Sequence, residues 1–169
     1  MEVYDAIRTV LAVREFQDKP VPEALVEKIV EAARLTASSR NGQPWHFIVV
    51  HDRGTLRQLG TIMTSGQYIV QAAFAIVVAI DKVSPFGVSD ASRAIQSMVL
   101  TAWAEGVGSN WAGWVGMPEV ATLMKIPHTM DVLAVVPFGY PTHDRTGSKK
   151  RRKTLSEVAH REQFGYQFS

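Results

Sequence analysis

Apolar positions along the chain recur at two spacings, and the spacing assigns the elements. Val3, Ile7, Val10 and Leu11 return every three to four residues, which predicts an amphipathic helix over residues 2–12. Asp18, Lys19 and Pro20 break that pattern. Pro22 suits the first turn of a second helix, whose stripe of Leu25, Val26, Ile29, Val30 and Ala33 runs to about Leu35. Glu31 and Arg34 lie on its wet side, spaced to pair. Residues 36–44 (TASSRNGQP) lose all periodicity and read as a loop. Trp45 to Val50 is a strand closed by Asp52, Arg53 and Gly54, and Leu56 and Leu59 suggest a short helix before the break at Thr64–Gly66.

FAIVVAI, residues 74–80, is apolar at every position and rich in β-branched side chains, so it predicts a central strand buried on both faces. Residues 90–105 form the longest helix, with a wide stripe of Ala91, Ala94, Ile95, Met98, Val99, Ala102 and Trp103. A helix this apolar is either central to a core or shared with another subunit. Gly106 and Gly108 end it; SNWAGWVG gives a short extended segment and a loop, and Pro118 to Met124 a small helix. Val132 to Phe138 is a third strong strand, with Pro137 expected to put its end near a sheet edge. Strands and helices mix without strict βαβ alternation. That order favours an α+β domain, with helices packed around one sheet.

Composition narrows the class. At 169 residues the chain suits one domain, and 46% apolar with 20% charged residues is ordinary for a soluble globular protein. The absence of cysteine excludes disulfides, iron–sulfur clusters, thiolate zinc sites and a cysteine nucleophile. No apolar run approaches the roughly 20 residues that span a bilayer, and the start MEVYDAIRTVL lacks the basic end and apolar core of a signal peptide. A soluble, cytoplasmic protein is the expectation.

The familiar catalytic motifs fail. There is no phosphate loop, no G-x-S-x-G and no H-E-x-x-H. GVGSNWAG has Trp111 where a dinucleotide fingerprint needs its third glycine, and it follows a helix rather than a strand. His46 and His51 are five apart on a strand and point to opposite faces, so they make a poor metal pair. What remains is polar loops between strong elements and a basic run, KKRRK, at 149–153. Such a chain suits chemistry carried by a bound cofactor. Three segments support this: Val13-Arg14-Glu15-Phe16, Ser38 to Trp45, and Lys150 to Val158.

Taken in order, these segments resemble the FMN-dependent nitroreductase family almost end to end. The basic motif ending R-x-F is followed by P-V-P, and the serine-rich loop runs into N-x-Q-P-W and a strand. After the glycine-ended central helix come W-A-G-W, a strand ending P-F-G-Y-P and a late K-x-R-x-x-x-x-E-V. The resemblance implies an α/β sandwich with a mixed, mainly antiparallel sheet flanked by helices. It also implies an intertwined homodimer holding one FMN at each of two shared sites, with residues 90–105 as the interface helix. The chain would be a single domain, 1–169, whose basic extension over 142–169 packs on the partner subunit.

Carried over residue by residue, Arg14 matches the cation that the family aims at the flavin's pyrimidine edge. Ser38, Ser39 and Asn41 match the loop that reaches the flavin from the partner subunit, with Gln43 as a brace. Ala112, Gly113 and Trp114 fall where backbone lies against the N5 and O4 side, and Lys150 and Arg152 match the pair that closes on the phosphate. Trp111 and Trp114 read equally as ring-covering or as core aromatics, and Arg40 as a phosphate contact or an exposed loop residue. Ser65 and Gln67 are candidates for a polar partner before the second strand. The chain departs from the family at the first motif: Val10, Leu11 and Ala12 stand where many members have R-R-S, with Arg8 the nearest substitute cation.

The implied activity is reduction of nitroaromatic, quinone or similar acceptors by NAD(P)H, in ping-pong order through flavin N5, with no general base and no metal. Three rivals stay open: a flavin enzyme dedicated to one metabolite, a non-catalytic flavin- or phosphate-binding dimer, and a nucleic-acid module using 149–153. The net charge of only +2 and the lack of interleaved aromatics weigh against nucleic acid, and neither nucleic acid nor membrane is an expected partner.

Overall fold

A computed structural model describes residues 1–143 and 150–168, so Lys149 of the basic run lies outside the described residues. In chain order the elements are α1 (Val3–Thr9), α2 (Glu23–Arg34), β1 (Trp45–Val50), α3 (Arg53–Ile62), β2 (Phe74–Asp81), α4 (Gly87–Ala104), β3 (Gly108–Ser109), α5 (Pro118–Leu123), β4 (Met130–Gly139) and α6 (Leu155–Val158). Short 3₁₀ turns occupy Ser39–Asn41 and Gln67–Gln71. The strands form one sheet in the order β1-β2-β4-β3, antiparallel at each pairing, with a lone parallel bridge between Ala12 and Ser109. The α+β arrangement read from the sequence is the one observed.

Strand alternation builds the layers. Phe74, Ile76, Val78 and Ile80 of β2 face a core with Val26 and Ile29 of α2 and Ala94 and Met98 of α4. Ala75 and Val77 face the other side, against Leu56, Leu59 and Val120. Both faces are covered, which is why β2 shows no polar alternation. Phe74 and Phe138 stack across β2 and β4 at 4.9 Å between ring centroids. A third, smaller cluster of Ala6, Val13, Phe16, Ala72 and Trp103 ties α1 to the end of α4.

Two expectations need correction. The first helix stops at Thr9 rather than reaching residue 12. Val10 and Leu11 pack on the third cluster, and Ala12 runs extended beside Ser109. The same side chains that could continue a helical stripe are better buried by leaving it, because the C-terminal end of α4 offers them a surface. There, Trp103 donates its indole N–H to Thr9 Oγ1 at 2.9 Å. The second correction concerns β4, which is interior rather than at an edge. Pro137 is tolerated because its nitrogen faces the same outer side as Val135, which bonds Ala112. Among the described residues none is paired with Pro137 on that side, between the Ala112 bridge and β3.

Most of the α4 stripe is buried by the chain's own core: Ala91, Ala94, Ile95, Met98, Ala102 and Trp103. Apart from Val88 near its start, the uncovered apolar surface lies elsewhere. Val3 and Tyr4 of α1 are 71% and 75% exposed, and Leu155, Val158, Phe164 and Tyr166 stand out along the C-terminal segment. Among the described residues no helix is long and apolar enough to cross a membrane.

Candidate functional site

Arg14 sits on a firmly fixed base. On either side of it Val13 and Phe16 are buried, pressed against glycines that leave room for them. A Cβ on Gly108 would lie 2.4 Å from Val13 Cγ2, and one on Gly139 would lie 2.9 Å from Phe16 Cδ1. The Val13 N–H donates to the Ser109 carbonyl at 2.9 Å, and the Gln17 N–H to the Tyr140 carbonyl at 2.8 Å. Extended backbone alternates sides, so burying Val13 turns Arg14 outward. It is exposed and makes no hydrogen bond or ion pair among the described residues.

From Ser109 the chain runs back along the outer side of β4. Ala112 exchanges both backbone hydrogen bonds with Val135, at 2.9 and 3.0 Å, so its amide is committed to the sheet. Gly113 then turns outward at φ +84°, a conformation that favours glycine. Its carbonyl accepts the Trp111 indole N–H at 3.0 Å. The two tryptophans therefore divide: Trp111 packs on the core, while Trp114 is 76% exposed. Nearby, Asn110 donates its side-chain amide to the Tyr68 hydroxyl. Sequence reading missed this pair, because residues 42 apart carry no local signal of meeting. Ser65 and Gln67, both exposed, lie just before Tyr68.

Lys150 lies against the end of α1, and two positions on Arg152 donates to the Arg151 carbonyl at 3.0 Å. The Lys150 ammonium donates to the Ile7 carbonyl at 2.6 Å, in the last turn of α1, where the helix dipole favours a cation. Burial pushes Lys150 below the ordinary lysine value, and the charge of Arg152 adds to the shift. Arg8, the nearest substitute cation, is instead engaged with Asp5 at 3.2 Å on the surface.

The polar loop lies elsewhere. Ser38 Oγ accepts the Gln43 N–H at 3.0 Å, and the Gln43 side chain donates to the Asn41 carbonyl and Oδ1 at 3.3 Å each, so Gln43 does brace this loop. Ser39 points inward: its N–H and hydroxyl donate to Asp90 at 2.9 and 3.0 Å. Arg40 lies over the Phe86 ring at 6.0 Å, and Arg40 and Asn41 are exposed. Burial alone would raise the Asp90 carboxyl, but the Ser39 donors and the Arg93 guanidinium hold it below the ordinary aspartate value.

The sheet separates these two groups. The Pro44 carbonyl accepts the Asp81 N–H, which puts the loop at the Asp81–Met130 end, on the β1 edge. Arg14 lies at the Phe74–Phe138 end, beyond β4. Strand rise and spacing put the two on the order of 20 Å apart. One copy of the chain does not bring Ser38 and Asn41 to Arg14.

The family model described as the nitroreductase family matches residues 8–85 and 69–140. The chain belongs to the nitroreductase family. Among its relatives in that family is a Methanothermobacter thermautotrophicus protein provisionally named NADH dehydrogenase/NAD(P)H nitroreductase. The two are 35% identical, over 85% of this chain and 80% of the relative. An Archaeoglobus fulgidus protein with the same provisional name is 34% identical over 96% of this chain and 99% of its own. An FMN-dependent nitroreductase from Clostridium difficile superposes with a TM-score of 0.87 at 25% identity, covering 95% of this chain and 99% of its own. This member of the family is an enzyme of the NAD(P)H-dependent oxidoreductase class. Of the readings the sequence left open, these relatives favour an enzyme over the non-catalytic dimer.

Proposed function

We propose that the chain is an FMN-dependent reductase working as a homodimer, with each cofactor held between two copies, and that it passes electrons from NAD(P)H to nitroaromatic, quinone or similar acceptors. One observation carries the shared site: Arg14 and the Ser38–Asn41 loop lie at opposite ends of the sheet, so a second copy must supply the missing half. The uncovered apolar side chains of α1 and the C-terminal segment support that second copy. On this reading residues 1–169 are one domain whose C-terminal segment packs on the partner, in the cytoplasm where NAD(P)H is supplied.

The residues present fit FMN. Lys150 and Arg152 are cations two positions apart, and two cations suit a dianionic phosphate. Arg14 is free to meet the pyrimidine edge, where a cation favours negative charge. Gly113 presents backbone at an open turn beside Trp114, with Ala112 holding it to the sheet. Ser38 and Asn41 offer oxygens and an amide to the ribityl chain, while Ser39 holds the loop from behind. Val10 and Leu11 pack inward, which leaves the phosphate to Lys150 and Arg152. When bound, FMN would supply the hydride chemistry that links NAD(P)H to an acceptor, and these residues would hold and orient it.

An absorbance spectrum before and after adding FMN and desalting tests this reading. Retained bands at roughly 370 and 450 nm that bleach with NAD(P)H are expected. Protein that holds no flavin after reconstitution contradicts it. Arg14→Ala should then lower the flavin potential and slow reduction at least about tenfold in stopped flow, with the dimer intact.

A further inference from the structure

Among the described residues Asp90 is the charged side chain that is wholly buried. It sits in the first turn of α4, where the helix dipole favours a carboxylate. Its oxygens accept the Ser39 N–H at 2.9 Å and the Ser39 hydroxyl at 3.0 Å, and the Arg93 guanidinium pairs with it one turn on. Further along that face Ser97 Oγ meets Thr36 Oγ1 at 2.7 Å. Positions 90, 93 and 97 thus make a polar seam that stitches residues 36–39 to α4 at two points.

Beyond the seam the backbone is strained. Arg40, Asn41 and Gln43 hold φ of 54°, 55° and 48°, three non-glycine residues in the left-handed region within four positions. Such a conformation persists only where its surroundings hold it, and it gathers at functional sites. A turn needing nothing but closure would be served by a serine or asparagine cap, with no buried charge to compensate.

We infer that Asp90 is a positioning residue of the cofactor site: through Ser39 it fixes the strained loop by which one copy reaches the FMN of the other. The inference rests on the FMN reading above. It also gives Ser39 a different task from Ser38 and Asn41, since its hydroxyl is spent on Asp90.

The test titrates FMN into the full-length protein by fluorescence quenching, and records the visible circular dichroism of the bound flavin and the melting temperature. Asp90→Asn keeps the shape and an acceptor but removes the charge that pairs with Arg93. It should weaken FMN binding roughly tenfold and alter the dichroic band. Val50→Ala, a buried change at the far end of β1, should lower the melting temperature yet leave both flavin readouts at parental values. If Asp90→Asn does not fold, Asp90→Glu keeps the charge and shifts the anchor by one methylene, and it should loosen FMN in the same direction. A folded Asp90 variant with parental affinity and an unchanged band would overturn this inference and leave the FMN reading standing. A parent protein that takes up no FMN would overturn the reading itself, and this inference with it.

Discussion

At the scale of single residues one small feature of the backbone shapes the site. Gly113 turns the chain outward at φ +84°, and a Cβ there would meet Met117 Sδ at 2.3 Å and Met63 Cε at 2.7 Å. Methionine ends can move, so the main cost of Gly113→Ala is backbone strain of about 1 kcal/mol. Gly106 has a similar φ of +79° with nothing within 4 Å, which makes Gly106→Ala a matched control. Both variants should lose comparable stability in urea melts, and only Gly113→Ala should slow NAD(P)H-driven flavin reduction. Equal reduction rates would contradict the placing of Gly113. Arg14, Ser38, Asn41 and Lys150 stand in local motifs, so sequence alone can nominate them as candidates. The separate duty of Ser39 was not, since its partner Asp90 lies 51 positions away and reads in sequence as one more polar residue at a helix start.

At the scale of elements, strands were the easiest to read. β2 carries a continuous apolar run and β1 one broken only by His46, and their ends agree with the sequence reading to within one residue. The end of α1 was hidden because Val10 and Leu11 suit a helical stripe as well as the extended path they take onto Trp103. In sequence Gly108 reads as a helix end and Gly139 as part of P-F-G-Y-P; their larger part is to let Val13 and Phe16 approach and so aim Arg14. Helix α6 makes a pH prediction. Glu157 accepts the Thr154 N–H and hydroxyl at 2.8 Å each in a capping box, and these bonds hold its carboxyl below glutamate's ordinary 4.5. A carboxyl lowered on folding adds stability above its unfolded value and loses it as pH falls through the folded one. The Thr154 amide, bonded to the Glu157 carboxylate, and the Ala159 amide, bonded to the Leu155 carbonyl, should therefore lose exchange protection in acid below 4.5, and Glu157→Gln should flatten that dependence. An acid-insensitive α6 in the parent would contradict the assignment.

At the scale of the whole molecule the sheet order explains why a single copy is incomplete. β1 lies at one edge and the segment carrying Ala112 and Gly113 runs along the other side of β4, so the two polar regions diverge. No pattern along the chain announces this divergence; it comes from the crossing of β2 to β4 past α4. The central claim is that Arg14 and Gly113 of one copy work with Ser38 and Asn41 of another. Subunit complementation tests it most directly. A Gly113→Ala, Arg14→Ala protein and a Ser38→Ala, Asn41→Ala protein, each without FMN-dependent NAD(P)H oxidation, are coexpressed with different tags. The doubly tagged dimers are then isolated and assayed. Each mixed dimer would hold one wholly parental site and one doubly damaged site, so about half the parental activity per dimer should return. Mixed dimers as inactive as either parent variant would mean that both groups serve the same copy, and the shared-site account would be wrong.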